Sequence, residues 1–411
     1  MLQQFRQHRP GAKMAVVVAA VALTVTACSS SGGGGKTTSP TADSSATTSS
    51  GAATSDTGAP ASGGATSLAA MQADLAKFTG EVTSTAALKP VTGVSKLKGK
   101  TVWYIPIGSA VPILNAFGVG MKGALDKLGI KLQVCDGKFL PTTMASCINQ
   151  AATQGADGVV TGYIDYQLVP TAFDNLVAHK IPVLIAGEAP DGGKTNSPAL
   201  AFDDTSPTIN ALQRLMNESV IVDSKGKAKV LFLGVTDSPQ LKGAAAYSKK
   251  FYADNCPGCT FTEIDYNTAS LNKLPSQVSS ALIAHPDTTY VVAEVDAAGA
   301  GAVSGIETAG FSNKVKFAST NGALDALQRI KNGAGQFVDV GTGGIYLGWQ
   351  FVDGIVRMMT GVLPVNGFGV VRVFTKENIA NLTLTPAAYA TNAWYGSDAF
   401  EKTFLTAWGV S

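Results

Sequence analysis

The chain has 411 residues, 45% of them hydrophobic, which is enough to bury more than one sizeable core, and it carries a formal net charge of only +2. So near a balance, with no basic run and no Lys/Arg stripe interleaved with aromatics, argues against nucleic acid or an anionic membrane surface as partners. Of three histidines, His8 lies near the N-terminus and His179 and His285 sit beside turns, too few to build a histidine metal site.

The first element in chain order is a secretory signal. Arg6, Arg9 and Lys13 precede an apolar run from Met14 to Val25, which is too short to span a bilayer comfortably. Its removal takes away three basic residues and no acidic one, so the charge of +2 falls to about −1. The run Val25-Thr26-Ala27-Cys28, followed by Ser29-Ser30-Ser31, resembles the lipobox of bacterial lipoproteins. That resemblance implies a signal peptide over 1–27, acylation of Cys28, and residence on the outer face of the cell membrane, held by buried methylenes. An ordinary signal peptide with an incidental cysteine is the alternative. Nothing after Cys28 is apolar for long enough to cross a membrane.

Residues 28–97 then read as an anchor, a tether and a leader. From 29 to about 66 the chain is Ser, Gly, Thr, Ala and Pro without apolar periodicity, which predicts a flexible tether. Leu68, Met71, Leu75 and Phe78 are spaced for one short amphipathic helix, loosely docked, and a polar, Pro-containing linker follows up to Lys98.

From Lys100 short β-branched runs alternate with helix-length amphipathic segments, the pattern of βαβ units and parallel sheets. Strands are predicted at Thr101–Ile107, Lys131–Cys135, Gly158–Gly162 and Ile181–Ala186, with helices at Leu114–Leu128, Thr142–Gln154 and Leu168–His179 between them. A second set of strands is predicted at Lys229–Gly234, Thr260–Ile264, Thr289–Ala293 and Val315–Thr320, again separated by helical stretches. Two sets of similar rhythm over roughly 310 residues predict an α/β fold of two doubly wound parallel-sheet lobes, with a single barrel as the competitor.

Four cysteines remain besides Cys28, and outside the cytoplasm an even number suggests two disulfides, most simply Cys135–Cys147 and Cys256–Cys259. Cys256-Pro257-Gly258-Cys259 also resembles a thioredoxin-type dithiol, which would need to open a helix. Here it follows the helical stretch Ala244–Asn255 and precedes the strand-like Thr260–Ile264, the setting of a stapled turn.

The segments Gly120 to Gly129, Gln154 to Val160, Lys180-Ile181-Pro182-Val183, His285-Pro286-Asp287, Ala309-Gly310, Ser319-Thr320-Asn321-Gly322 and Met359-Thr360-Gly361 together resemble the type I periplasmic binding proteins of the ribose-binding group, which serve ABC importers. The resemblance covers Lys100 to Phe374. It implies lobes joined by a hinge of three crossovers, near Asp203-Asp204, near Thr342-Gly343 and near Val365 to Val370. The lobes are then 98–203 plus 343–366 and 204–342 plus 367–411, closing over a small polar solute.

Ligands of open parallel sheets lie beyond the carboxyl ends of the strands, so candidate binding residues are those just after each strand. They are Ser109, Ile113, Glu188, Asp237, Tyr247, Tyr266, Glu294, Asp296, Asn321 and Thr342. Compared with the sugar binders that it resembles, the chain has Val111 for Asn, and Ile113 and Leu114 for two stacking rings. It also has Gly187 for Asp, Glu188 for Arg, Val295 for the Asn before Asp296, and Asn321 for Asp. Lys242 to Tyr247 lacks the usual arginine, and Tyr266 stands where an aromatic platform often does. Tyr163, Tyr247, Tyr346 and Trp349 are further rings that could stack or simply pack. Asp203, Asp204, Asp237 and Asp296 also suit helix caps. Arg214, Arg329, Arg357 and Arg372 fall in helices or a late strand, away from strand ends. A carboxylate or phosphate ligand would want a bidentate guanidinium, so the expected ligand is neutral or cationic.

The function expected is a lipid-anchored solute-binding component of an ABC importer, monomeric and without a cofactor, that takes up a sugar or polyol and presents its closed form to a permease. A sensor subunit presenting that form to a membrane receptor, or a secreted CxxC redox lipoprotein, are the alternatives. No GxSxG, HExxH or P-loop motif is present, so no enzyme is expected, although paired carboxylates leave a glycosidase as a motif-free possibility.

Overall fold

The computed structural model describes residues 66–83 and 87–410, so the expected signal peptide, Cys28 and almost all of the tether lie outside the described residues. The chain opens with α1 (Leu68–Ala76), then β1 (Thr101–Pro106), α2 (Pro112–Leu128), β2 (Lys131–Val134), α3 (Pro141–Thr153), β3 (Gly158–Gly162), α4 (Pro170–Ala178), β4 (Val183–Ala186) and β5 (Leu200–Asp203). It continues with α5 (Ser206–Asp223), β6 (Lys229–Val235), α6 (Pro239–Asn255), β7 (Thr260–Tyr266), α7 (Leu274–Ala284), β8 (Tyr290–Ala293), α8 (Gly299–Thr308), β9 (Lys316–Asn321), α9 (Leu324–Asn332) and β10 (Gln336–Thr342). Last come α10 (Gly344–Met359), β11 (Val371–Thr375), α11 (Lys376–Ile379), α12 (Pro386–Tyr389) and α13 (Ala399–Trp408).

Two open sheets form. The first has the order β2-β1-β3-β4-β5, all parallel, and the second β11-β10-β9-β8-β6-β7, parallel except for the β10–β11 pair. Two separate sheets exclude the barrel. The eight expected strands are all present, and β5, β10 and β11 were not among them.

Period-2 alternation gives the inner strands two buried faces, whereas the edge strands β2 and β7 stay largely exposed. In the first sheet Val102, Tyr104, Val160 and Leu184 turn toward α2 and α10, while Trp103, Ile105, Val159 and Ile185 turn toward α3 and α4. In the second, Val230, Phe232 and Val292 face α5 and α1, whereas Leu231, Leu233 and Val291 face α7 and α8. The helices α2 and α10 approach backbone to backbone: a Cβ at Gly120 would strike Ile345, and one at Gly348 would strike Phe117 and Met121.

The chain passes from the first sheet to the second between Asp203 and Ser206, returns between Thr342 and Gly344, and crosses again between Thr360 and Val371. The leader and the C-terminal tail run beside these crossings. Met71 of α1 is fully buried in the second core and Asp74 pairs with Arg214, so the leader helix is firmly docked rather than loosely. The leader then accepts from Val373 N at Phe78 O (2.8 Å), while Val82 N donates to Tyr395 O (2.7 Å) and Val91 N to Ala407 O (2.7 Å). The tail expected to travel with the second lobe divides. Trp394 O accepts from Arg372 on β11 (2.7 Å), whereas α13 packs on α10, beside the first sheet.

Both cysteine pairs are disulfides, Cys135–Cys147 and Cys256–Cys259. Cys256 caps the C-terminus of α6, its N–H bonded to Tyr252 O (2.9 Å). That end of a helix disfavours a thiolate, the opposite of what a redox dithiol needs. Among the described residues no helix is long and apolar enough to cross a membrane, and no cluster of His, Cys, Asp and Glu could hold a metal ion.

Candidate functional site

The carboxyl ends of both sheets face each other across the crossovers, and a cavity of about 100 Å³ lies between them. One wall comes from the first sheet. Pro112 at the first turn of α2 ends the loop after β1 and sets Val111, Ile113, Leu114 and Phe117 along the cavity. The opposite wall is Ile209 and Leu212 of α5, Leu241 of α6, Val235 and Val295.

Two rings reach the cavity by unusual backbone. Phe139 has φ +55° and its ring fills the space over Gly108, where any Cβ would collide. The loop that carries it follows Cys135, which the disulfide to Cys147 fastens onto α3. Tyr163, directly after β3, has φ +59°, and its hydroxyl pairs with Thr205 Oγ1 at 3.1 Å. Its ring lies 2.8 Å from where a Cβ of Gly187 would stand. This accounts for Gly187 in place of an acid: the tyrosine occupies that room.

Five of the ten expected residues line the cavity: Ile113, Asp237, Glu294, Asn321 and Thr342. Glu294, just after β8, is fully buried; its Oε2 accepts from Val235 N at 2.6 Å and its Oε1 has no partner. Burial, with Glu263 and Asp265 nearby, pushes its carboxyl up to about 8, so it carries a proton at neutral pH. Asn321 ends β9 with φ +111°, a conformation rare outside glycine, and its carboxamide has no hydrogen-bond partner among the described residues. Asp237 accepts from Thr268 through both its backbone N–H and its hydroxyl. Thr342 donates to Val370 O (3.1 Å), tying one crossover to another.

Glu188 and Tyr247 line a neighbouring vestibule of about 650 Å³ that shares Ile209 with the inner cavity. Glu188 is 5% exposed with Oε1 unpartnered, and burial plus the charges of Asp165, Asp204 and Asp191 push it up to about 8. Tyr247 lies against Phe251, ring centroids 6.1 Å apart.

The other three lie behind the walls. Ser109 is held by its backbone, N–H to Asp136 (2.9 Å) and O from Asn115 Nδ2 (2.8 Å). Tyr266 is buried with its hydroxyl unpartnered, and burial and the charges of Glu294, Asp237 and Asp296 hold that hydroxyl well above the ordinary range. Asp296 turns inward instead of toward solute, accepting from Ser319 Oγ and from Ala323 N (2.6 Å). Asp339 takes Gly322 N (2.9 Å), so these two acids brace the turn after Asn321. Burial and the Asp296 charge raise Asp339 well above the carboxylate range.

No arginine or lysine lines the cavity. The four arginines among the described residues are engaged elsewhere: Arg214 with Glu218 and Asp74, Arg329 with Asp325, Arg357 with Asp353, and Arg372 with Trp394 O. Sequence reasoning passed over Thr205, Gln213 and Phe139, which stand on helices or loops rather than just beyond a strand; Gly108 and Cys135 were the available signals for Phe139.

Solved structures share this fold. A 5-methylthioribose transporter solute-binding protein from Thermotoga lettingae matches with a TM-score of 0.63 at 16% identity, covering 75% of this chain and 97% of its own. A solute-binding protein from Burkholderia graminis in complex with D-arabinose matches with a TM-score of 0.60 at 22% identity, over 70% of this chain and 98% of its own. The Caulobacter myo-inositol binding protein also gives 0.60, at 21% identity, over 72% and 98%. No curated protein sequence matches. The model of the periplasmic binding protein domain matches residues 103–361, well over half of the chain. With two α/β lobes, three crossovers and a cleft at the strand ends, the chain belongs to the periplasmic binding protein family, as a type I member whose work is binding and not catalysis.

Proposed function

We propose that this protein is the lipid-anchored solute-binding component of an ABC importer, capturing a small neutral solute of carbohydrate or polyol type by closure of its two lobes, 98–203 with 343–366 and α13 against 204–342 with 367–398. The observation that carries this reading is the charge of the cleft. Its inner cavity offers protonated Glu294, Asn321 and Asp237 and, among the described residues, no cation, a set that pairs with hydroxyls and repels anions. The solutes named for the similar structures, arabinose, myo-inositol and methylthioribose, are of this class.

In this reading Ile113, Asp237, Glu294, Asn321 and Thr342 meet the solute. Glu188 and Tyr247 line its approach, while Ser109, Tyr266 and Asp296 support them from behind. Family membership implies an extracytoplasmic location. Acylation of Cys28 would then hold the body on the outer membrane face beside its permease, with 29–66 as the tether. A monomer suffices, since one chain holds a complete cleft.

A thermal-shift screen over neutral sugars, polyols, amines and organic acids tests the ligand class. A solute bound only by the folded chain at 100 times its Kd adds about 2.7 kcal/mol of stability. Stabilisation by sugars or polyols is expected, and stabilisation by acids alone would overturn the reading. Replacement of Cys28 by Ser should release the protein from the membrane fraction.

A further inference from the structure

We infer that the solute is not a bare polyol but a carbohydrate-like molecule with one apolar substituent, which packs against the wall formed by Val111, Ile113 and Leu114. The inference rests on the carbohydrate reading above and narrows it. A pentose or hexose presents four or five hydroxyls, and each one buried without a partner costs about tenfold in affinity.

The cleft has few groups left to meet them. Thr205 is engaged with Tyr163, Gly187 and Gln240, Thr208 accepts from Gly369 N, Thr320 donates to Glu294 O, and Thr342 donates to Val370 O. Gln213 uses both ends of its amide, donating to Glu294 O and accepting from Ser248 Oγ. Ser238 accepts from Leu241 N as a helix cap, and Asp237 is paired with Thr268. Ser238 and Thr208 keep an O–H to donate, but of the polar side chains that line the cavity only Glu294 Oε1 and the Asn321 carboxamide have no partner at all.

Those two form one polar edge. Opposite them, the places where stacking rings and an asparagine are expected hold Ile113, Leu114 and Val111, branched aliphatic side chains that offer neither a π-face nor a hydrogen bond. A ligand that matches both sides has hydroxyls on one edge and an alkyl, thioalkyl or small aryl group on the other.

The test is isothermal titration calorimetry of the intact ectodomain with D-ribose, L-arabinose, D-xylose, D-glucose and D-galactose, each beside its methyl, ethyl and phenyl glycosides. For the sugar that binds best, a glycoside should bind at least about tenfold tighter, with a more negative heat-capacity change from apolar burial. Val111→Asn and, independently, Leu114→Gln should erase that preference, bringing the glycoside to the affinity of its parent sugar. Parent sugars binding as tightly as every glycoside would overturn the apolar-wall inference and leave the carbohydrate reading standing. Failure of all sugars and glycosides alike would sink the carbohydrate reading and this inference with it.

Discussion

Trp408 lies flat against Trp349, ring centroids 5.7 Å apart and planes 4° from parallel. The two are far apart in sequence and reach each other only because the tail, having left β11 on the second sheet, returns to α10 beside the first. Trp408 Nε1 also donates to Asp353 Oδ1 at 2.8 Å, and Asp353 in turn holds Arg357 at 2.7 Å. The contact therefore closes a chain of buried groups that fastens the tail to α10, beside the first sheet. Trp408→Ala should lower stability by about 3–5 kcal/mol, from lost burial and the cavity left behind. Trp408→Phe keeps the stacking but not the hydrogen bond, and should lose less. Urea denaturation measures both, and a loss below about 1 kcal/mol for the alanine variant would mean that the tail is not part of the fold's cooperative unit.

Asn321 separates the demands of binding from those of stability. Its φ of +111° is costly for any residue with a Cβ, and the turn behind it is fixed by Asp296 and Asp339 through the N–H groups of Ala323 and Gly322. Asn321→Gly relieves that strain and should raise stability by about 1 kcal/mol, while solute affinity falls tenfold or more because the carboxamide is gone. Asn321→Ala should lose the affinity without the gain in stability. Equal melting temperatures for the two variants would show that the backbone there is not strained.

Buried acids give the fold an unusual dependence on pH. Glu294 and Glu188 are pushed by burial from 4.5 up to about 8, and Asp203, which accepts from Gln350, is pushed from 3.8 to about 7. Below about pH 4 folded and unfolded chains both hold these protons. Between there and about pH 7–8 only the folded chain does, so stability falls as the pH rises through this window and levels off above it. Melting temperatures taken at constant ionic strength should decline from pH 5 to 8. Glu294→Gln, which mimics the protonated side chain, should flatten the decline and melt above the wild type at pH 8. A wild-type melting temperature that climbs across the same interval would contradict a neutral Glu294.

How far the sequence reached follows from what each element looks like locally. β1, β3, β4 and β6 are runs of β-branched and aromatic residues buried on both faces, and such runs are readable without neighbours. β10 is broken by Asp339 and Gly341, whose presence makes sense only once the turn after β9 is seen to need a carboxylate and Phe374 to need the space. β5 is four residues after a loop of Gly, Lys, Asn and Pro, and β11 pairs antiparallel at a sheet edge, so neither carries the rhythm of a βαβ unit. The site divides in the same way. Asp237, Glu294 and Asn321 were legible because parallel sheets bind beyond their carboxyl ends. That Asp296, two residues from Glu294, turns away from the cavity depends on the Ser319 and Ala323 partners that only the tertiary structure supplies.

The Cys135–Cys147 disulfide links stability to the cleft. It closes a loop of sequence separation 12, which by chain entropy contributes about 2–3 kcal/mol, and it anchors the segment Asp136-Gly137-Lys138-Phe139. That segment carries Phe139 into the cavity through two consecutive residues of positive φ, Lys138 and Phe139, which ordinary loop freedom would not maintain. The Cys256–Cys259 bridge spans three positions at the far end of α6 and constrains little. Cys135→Ser combined with Cys147→Ser should therefore lower the melting temperature and weaken solute binding several-fold, whereas Cys256→Ser with Cys259→Ser should leave affinity unchanged and cost less stability. If the first pair lost stability with no change in Kd, Phe139 would be held by its packing over Gly108 alone, and the disulfide would serve only to fasten the loop to α3.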